Sequence, residues 1–136
     1  MKISSEQEML DFGQNFAKKV KFPMVIELIG DVGAGKTTFV RGLAKGLGIK
    51  EPVTSPSFTI SKYYAMPSGK RLIHYDFYRL KDPGLMVDDL NESINDKNTI
   101  TIIEWSDTVS DLLPKDRTII KIEYVDDGSR NLSLTA

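Results

Sequence analysis

Ile29-Gly30-Asp31-Val32-Gly33-Ala34-Gly35-Lys36-Thr37-Thr38 follows the apolar run Met24-Val25-Ile26-Glu27-Leu28-Ile29 and precedes a segment with helical spacing of its apolar residues. The stretch reads G-x-x-x-x-G-K-T between a strand and a helix, which is the context a phosphate-binding loop requires. Anion binding by main chain explains its residue types, because successive backbone N–H groups must converge on phosphate oxygens and a Cβ would hold the anion away. Gly30, Gly33 and Gly35 meet that need, and Asp31, Val32, Gly33, Ala34, Gly35, Lys36, Thr37 and Thr38 are the expected nucleotide-binding stretch. Lys36 supplies a mobile cation, the N-terminal end of the following helix adds its dipole, and Thr37 offers a hydroxyl to Mg²⁺. A glycine-rich turn that only joins strand to helix would also satisfy the bare pattern. Spacing, flanks and the Lys-Thr pair agree on the binding loop.

Working outward toward the N-terminus, Ser5-Glu6-Gln7-Glu8 has the form of a capping box, and Met9, Phe12, Phe16 and Val20 recur on one helical face. A helix is predicted over residues 5 to 21, ended by Pro23. Toward the C-terminus, Phe39, Val40, Leu43, Ala44 and Leu47 give the buried face of a helix that stops at Gly48. Glu51 to Phe58 then holds two prolines and a cluster of hydroxyls. In a nucleotide hydrolase a switch segment here offers a hydroxyl to Mg²⁺ or the γ-phosphate, and Thr54 is the candidate; an ordinary Pro-Ser turn is the alternative.

Residues 58–65 and 71–78 read as strands joined by a hairpin connection at 66–70. The second carries Asp76 near its end, where a Walker B acid reaches Mg²⁺ or its water; His74 reads as a structural hydrogen-bonding residue. Residues 81–98 are acidic and irregular, with Leu85, Met86, Val87 and Leu90 hinting at a short helix. Thr99-Ile100-Thr101-Ile102-Ile103-Glu104-Trp105 is a buried-strand signal that also terminates in a carboxylate. Ligands of open α/β sheets bind at the carboxyl ends of strands, so Glu104 is expected to share a pocket with Lys36 and Asp76. A short helix is predicted over 106–113, ended by Pro114. A terminal hairpin follows, with strands over 118–125 and 130–135 about the turn Asp126-Asp127-Gly128-Ser129; Arg130 is a candidate nucleotide contact.

The 136 residues suit one domain, here taken as 1–136, and the alternation of strands and helices predicts an α/β, P-loop NTPase-like fold. Its central sheet is expected to be mixed but mostly parallel, with helices on both faces and a C-terminal β-hairpin. Eighteen Lys and Arg balance nineteen Asp and Glu, so no net field recommends nucleic acid or an anionic membrane as a direct partner. The chain has no cysteine and one histidine. That removes disulfides, thiolate zinc sites and multi-histidine metal sites. With no long apolar run and no leader-like N-terminus, a cytoplasmic location is expected.

The ordered motifs Gly30 to Phe39, Thr54-Ser55-Pro56-Ser57-Phe58, His74-Tyr75-Asp76-Phe77-Tyr78-Arg79-Leu80 and Ile103-Glu104-Trp105 together resemble the TsaE family. That resemblance implies a small bacterial ATPase of tRNA threonylcarbamoyladenosine synthesis, slow alone and joined to TsaD and TsaB, with tRNA reached only through the complex. By the same resemblance Gly33, Gly35, Lys36 and Thr38 would bind the phosphates of ATP or ADP, Thr37 the Mg²⁺, Thr54 the switch position, and Asp76 and Glu104 the two metal-site acids. Arg130 matches a C-terminal arginine. Lys36, Asp76 and Glu104 are then the catalytic set. One departure is Met9, where members often carry a threonine near the nucleotide. Two other classes share the loop: a small-molecule kinase, and a nucleotide-binding regulator without turnover. A GTPase is disfavoured, because Asp76-Phe77-Tyr78-Arg79 lacks the glycine of D-x-x-G and no N-K-x-D follows.

Overall fold

Strand alternation in β2 (Met24–Ile29) sends Ile26 and Leu28 to one face of a sheet and Val25 to the other, and each face has its own core. The computed structural model describes residues 1–31, 33–56, 60–78, 84 and 86–135. After β1 (Lys2–Ile3) come α1 (Glu6–Phe16), β2, α2 (Lys36–Gly46), β3 (Ser61–Ala65) and β4 (Arg71–Asp76). The chain continues through α3 (Met86–Asn95), β5 (Thr99–Glu104), β6 (Thr118–Asp126) and β7 (Ser129–Thr135). The sheet order is β1-β7-β6-β2-β5-β4-β3. The four central strands β6, β2, β5 and β4 run parallel, while β7, β1 and β3 pair antiparallel at the edges. β6 and β7 form the expected hairpin.

Helices cover both faces. Met9 and Phe16 of α1 and Phe39, Val40 and Leu43 of α2 close over Ile26, Leu28, Ile100, Ile102 and Ile120. On the reverse face Leu90 of α3, with Val109 and Leu113, packs on Val25, Ile73, Tyr75 and Ile103. The short helix hinted at within the acidic stretch is α3, where Leu90 has an apolar sheet face to fill. Its Asp89 is more than solvated surface: it accepts from the hydroxyls of Tyr63 (3.1 Å) and Tyr75 (3.0 Å). Burial, reinforced by the Asp89 charge, pushes the Tyr75 phenol above its ordinary pKa.

Boundaries differ from expectation in places with local causes. The Ser5 cap forms, with Glu8 N–H donating to Ser5 Oγ (3.1 Å), while the Glu8 side chain reaches back one residue beyond the cap to accept from Ser4 N–H (2.9 Å). The helix it starts ends at Phe16 and tightens into a 3₁₀ turn, Ala17–Lys19, before the chain extends at Val20. The single helix expected over 106–113 is instead two 3₁₀ turns, Ser106–Thr108 and Ser110–Leu112, because Pro114 holds Leu113 extended and leaves no room for a longer run. Of the strand expected over 58–65, residues 58 and 59 lie outside the described residues, as do 57, 79–83 and 85.

α1 lies on α2 at backbone distance. A Cβ at Gly13 or Gly42 would overlap backbone of the facing helix, at Phe39 and Leu10 respectively, and one at Gly46 would come within 2.6 Å of Ala17 Cβ. This close approach sets Met9 beside the loop that starts α2. Gly42→Ala should therefore destabilise by ~2 kcal/mol or more, a fall of roughly 5–10 °C in thermal midpoint. Gly69→Ala meets nothing within 4 Å and should cost only its backbone strain at φ +86°, ~1 kcal/mol. Calorimetry of the two variants decides between them.

Candidate functional site

The loop after β2 is formed by contacts on three sides. A Cβ at Gly30 would sit 2.6 Å from the Ile122 carbonyl of β6, so the chain leaves β2 pressed against its neighbouring strand. Ala34 N–H then closes a turn onto Asp31 O (3.0 Å). Gly33 (φ +83°) and Gly35 (φ +109°) hold left-handed backbone that L side chains rarely adopt. Arg130 of β7 grips the loop from outside, its guanidinium donating to Ala34 O (3.2 Å) and Gly33 O (3.3 Å). It is itself oriented by donation to Asp126 O and Ser129 O and by the Tyr124 ring 4.7 Å away. Since a trans peptide sets its N–H opposite its C=O, the Gly35 N–H points away from Arg130.

Lys36, the first residue of α2, is 7% exposed. Its ammonium donates to the Gly30 carbonyl, stands 3.5 Å from Glu104 Oε1 and lies 4.2 Å over the Trp105 ring. Parallel register sets Asp76 beside Glu104 at the ends of β4 and β5. Both acids share the sheet face of α2, as does His74, two residues before Asp76. His74 Nε2 bonds Glu104 Oε2, and its buried Nδ1 has no partner. A buried N–H without an acceptor costs more than a bare lone pair, so Nε2 carries the proton and donates. Burial of Glu104 raises its pKa, but the His74 hydrogen bond and the Lys36 cation outweigh it and hold the carboxyl below its usual range. Asp76 accepts from Tyr78 N–H at 2.8 Å.

Two clefts meet at Gly33, Gly35 and Thr38. The smaller, about 250 Å³, brings together Lys36, Thr37, Asp76 and Glu104, with Ser55, Tyr78 and Trp105 as walls. The larger, about 520 Å³, runs between the start of α1 (Ser5, Glu6, Met9), the loop at Ala34, and Asp127, Gly128 and Arg130 of the hairpin turn. The sequence-expected residues thus fall into groups. Gly33, Gly35 and Thr38 line both clefts; Lys36, Thr37, Asp76 and Glu104 line the smaller; Ala34 and Arg130 line the larger. Asp31 lines neither, and faces a third cleft beside Glu27 and Trp105. Thr54 lines none of these: its N–H and C=O engage the Tyr64 hydroxyl, and Ser55 takes the place at the smaller cleft. Val32 lies outside the described residues.

Sequence reasoning misses Ser55, Tyr78 and the walls given by Ser5 and Asp127. Its reading of His74 as a structural hydrogen-bonding residue agrees with the bond to Glu104, and the two-residue spacing from Asp76 puts His74 on the same sheet face.

Strand order, the loop between β2 and α2, and the paired strand-end carboxylates define the class: an α/β protein of the P-loop NTPase-like fold. A family model described as "Threonylcarbamoyl adenosine biosynthesis protein TsaE" matches residues 3–132. The chain is 37% identical over 140 residues to the tRNA threonylcarbamoyladenosine biosynthesis protein TsaE of Haemophilus influenzae, covering 98% of this chain and 87% of that protein. It is 39% identical over 115 residues to the protein of that name from Bacillus subtilis, covering 82% and 69%. A crystal structure of Bacillus subtilis YdiB matches with a TM-score of 0.82 at 33% identity, over 100% of this chain and 83% of that one. The chain belongs to the TsaE family.

Two expected outcomes follow from the geometry. Arg130→Met keeps an apolar stem but loses both loop carbonyl contacts, so stability should fall by ~1–2 kcal/mol, and hydrogen exchange at the loop amides should quicken. Glu104 has a folded pKa below its unfolded value. The stability this contributes is complete above the ordinary carboxylate range and is lost as pH falls through the lowered folded value. Glu104→Gln should flatten the acid limb of a melting series from about pH 3 to about pH 7.

Proposed function

We propose that this protein binds ATP with Mg²⁺ and hydrolyses it as a cytoplasmic accessory subunit of the machinery that makes N6-threonylcarbamoyladenosine on tRNA, working with TsaD and TsaB. The observation that carries the reading is the gathering of Lys36, Thr37, Asp76 and Glu104 in one small cleft beside left-handed glycines. Family membership supports the pathway. No helix among the described residues is long and apolar enough to cross a membrane.

The donor set fits the cofactor. Mg²⁺ takes hard oxygen ligands and keeps several of its waters, so a hydroxyl and one or two carboxylates suffice. Among the described residues no group of three or more His, Cys, Asp or Glu forms a ready-made cage, and Mg²⁺ needs none. Thr37 with one of Asp76 and Glu104, or both, would hold the ion, which when bound neutralises phosphate charge during in-line transfer. The triphosphate fits as well. A Cβ at Gly33 would meet nothing within 4 Å, which leaves the loop open there. The larger cleft adjoining it has room for a nucleoside.

The chain's own contribution is positioning and charge. Lys36 exchanges the Gly30 carbonyl for phosphate oxygens, releasing one hydrogen bond and making stronger charge-assisted ones. His74 keeps hold of Glu104 when the lysine turns to the phosphate. Asp76 and Glu104 divide metal holding and water orientation between them. Arg130 keeps the loop carbonyls turned outward.

Lys36→Ala should weaken nucleotide binding or turnover by on the order of 10–100-fold, the equivalent of a charged hydrogen bond. Phosphate release from the purified chain, alone and then with TsaD and TsaB, tests the whole reading. Partner-stimulated release supports it. Transfer of phosphate to a metabolite would make the protein a kinase, and tight binding without release would make it a regulator.

A further inference from the structure

Glu27 stands in the middle of β2, in register with Ile103 of β5 and Ile119 of β6, and is 6% exposed. A carboxylate there is expensive to bury, and a buried ion pair is weak evidence for stability because an apolar residue would serve the strand as well. Its contacts show what it holds. One oxygen accepts from Ser106 Oγ and the other from Arg117 Nε at 2.8 Å; Arg117 also donates to Pro114 O (3.0 Å).

Ser106 follows Trp105, which has φ 55° and ψ 55°. Left-handed backbone at so bulky a residue persists only where its surroundings over-determine it. The turn has a clear effect. Continued strand alternation would send Trp105 to the sheet face opposite Glu104. Reversal at Trp105 instead lets both residues reach Lys36, Glu104 at 3.5 Å and the indole at 4.2 Å. Tyr78 also packs on the indole, ring centroids 4.7 Å apart. Ser106, anchored on Glu27, fixes the far end of that turn.

We propose that Glu27 is a positioning residue: by holding Ser106 across the sheet it keeps Trp105 turned over Lys36, and so sets how tightly the loop takes a polyphosphate. The second half of this statement rests on the nucleotide-binding reading above, and the first half does not.

Trp105 is the chain's one tryptophan, so its emission reports the turn without a label. The test compares Glu27→Leu, Ser106→Ala and Glu27→Gln with the wild-type chain. Ser93→Ala serves as control, removing the buried Ser93–Thr101 hydrogen bond on the α3 side. Glu27→Leu and Ser106→Ala should shift the emission to the red and open the indole to acrylamide. Glu27→Gln, which keeps an acceptor for Ser106, should stay close to wild type, and Ser93→Ala should lower the melting temperature without moving the emission. Affinity for ADP with Mg²⁺ should fall about tenfold in the first two variants and not in the control. Folded Glu27→Leu or Ser106→Ala protein with wild-type quenching would overturn the proposal, as would an equal red shift in Ser93→Ala. If the wild-type chain takes no ADP, the nucleotide reading fails by itself, and quenching in the absence of ligand still upholds or overturns the hold on Trp105.

Discussion

One ammonium group has three claims on it. Lys36 Nζ meets the Gly30 carbonyl, the Glu104 carboxylate and the Trp105 ring in a nearly closed space, the first just after β2 and the other two as consecutive residues at the end of β5. A desolvated cation must be matched on all sides, since water cannot make up what the protein leaves out. The ends of β2 and β5 and the turn at Trp105 are therefore mutually constrained, and an error at one would strand the charge at the others. The parallel pairing of β2 with β5 and of β5 with β4 is what lets one lysine, two acids and a histidine converge.

Around this centre the fold adds two supports that differ in kind. On one side α1 is set against α2 through glycines, a steric arrangement that tolerates no added carbon and fixes how near Met9 stands to Gly35. On the other, the β6–β7 hairpin reaches over with Arg130, an arrangement of directed hydrogen bonds to loop carbonyls. Packing sets distance and hydrogen bonding sets orientation. A loop that must present its own backbone needs both.

The loop, the two covering helices and the central strands were legible because each rests on a local signal: glycine spacing, a 3.6-residue period, or an unbroken apolar run. Asp76 and Glu104 were legible for the same reason, as carboxylates closing apolar strands. What sequence concealed depends on chain that returns from far away. β1 is too short to carry a pattern, and it exists because β7 offers an open edge. Thr54 and Ser55 differ by one position, and a proline-rich loop has no period to say which faces inward. The 3₁₀ turns after Trp105 looked helical because Ser-Asp-x-x spacing suits both forms. Glu27 passes unremarked inside an apolar run, and only its distant partners, Ser106 and Arg117, explain it.

The edge pairing of β1 with β7 has a consequence for assembly of the fold. Leu132 N–H donates to Met1 O (2.7 Å) and the Met1 amine to Leu132 O (3.0 Å), so the outermost rung of the sheet spans 131 positions of chain. Closing so long a segment is entropically demanding and slow relative to local helix formation. The larger cleft takes one wall from residues 3 to 9 and another from 127 to 130. Until β1 pairs with β7 the lysine loop stands beside only half of that cleft, so the cleft is a property of the closed sheet and of no shorter run of residues.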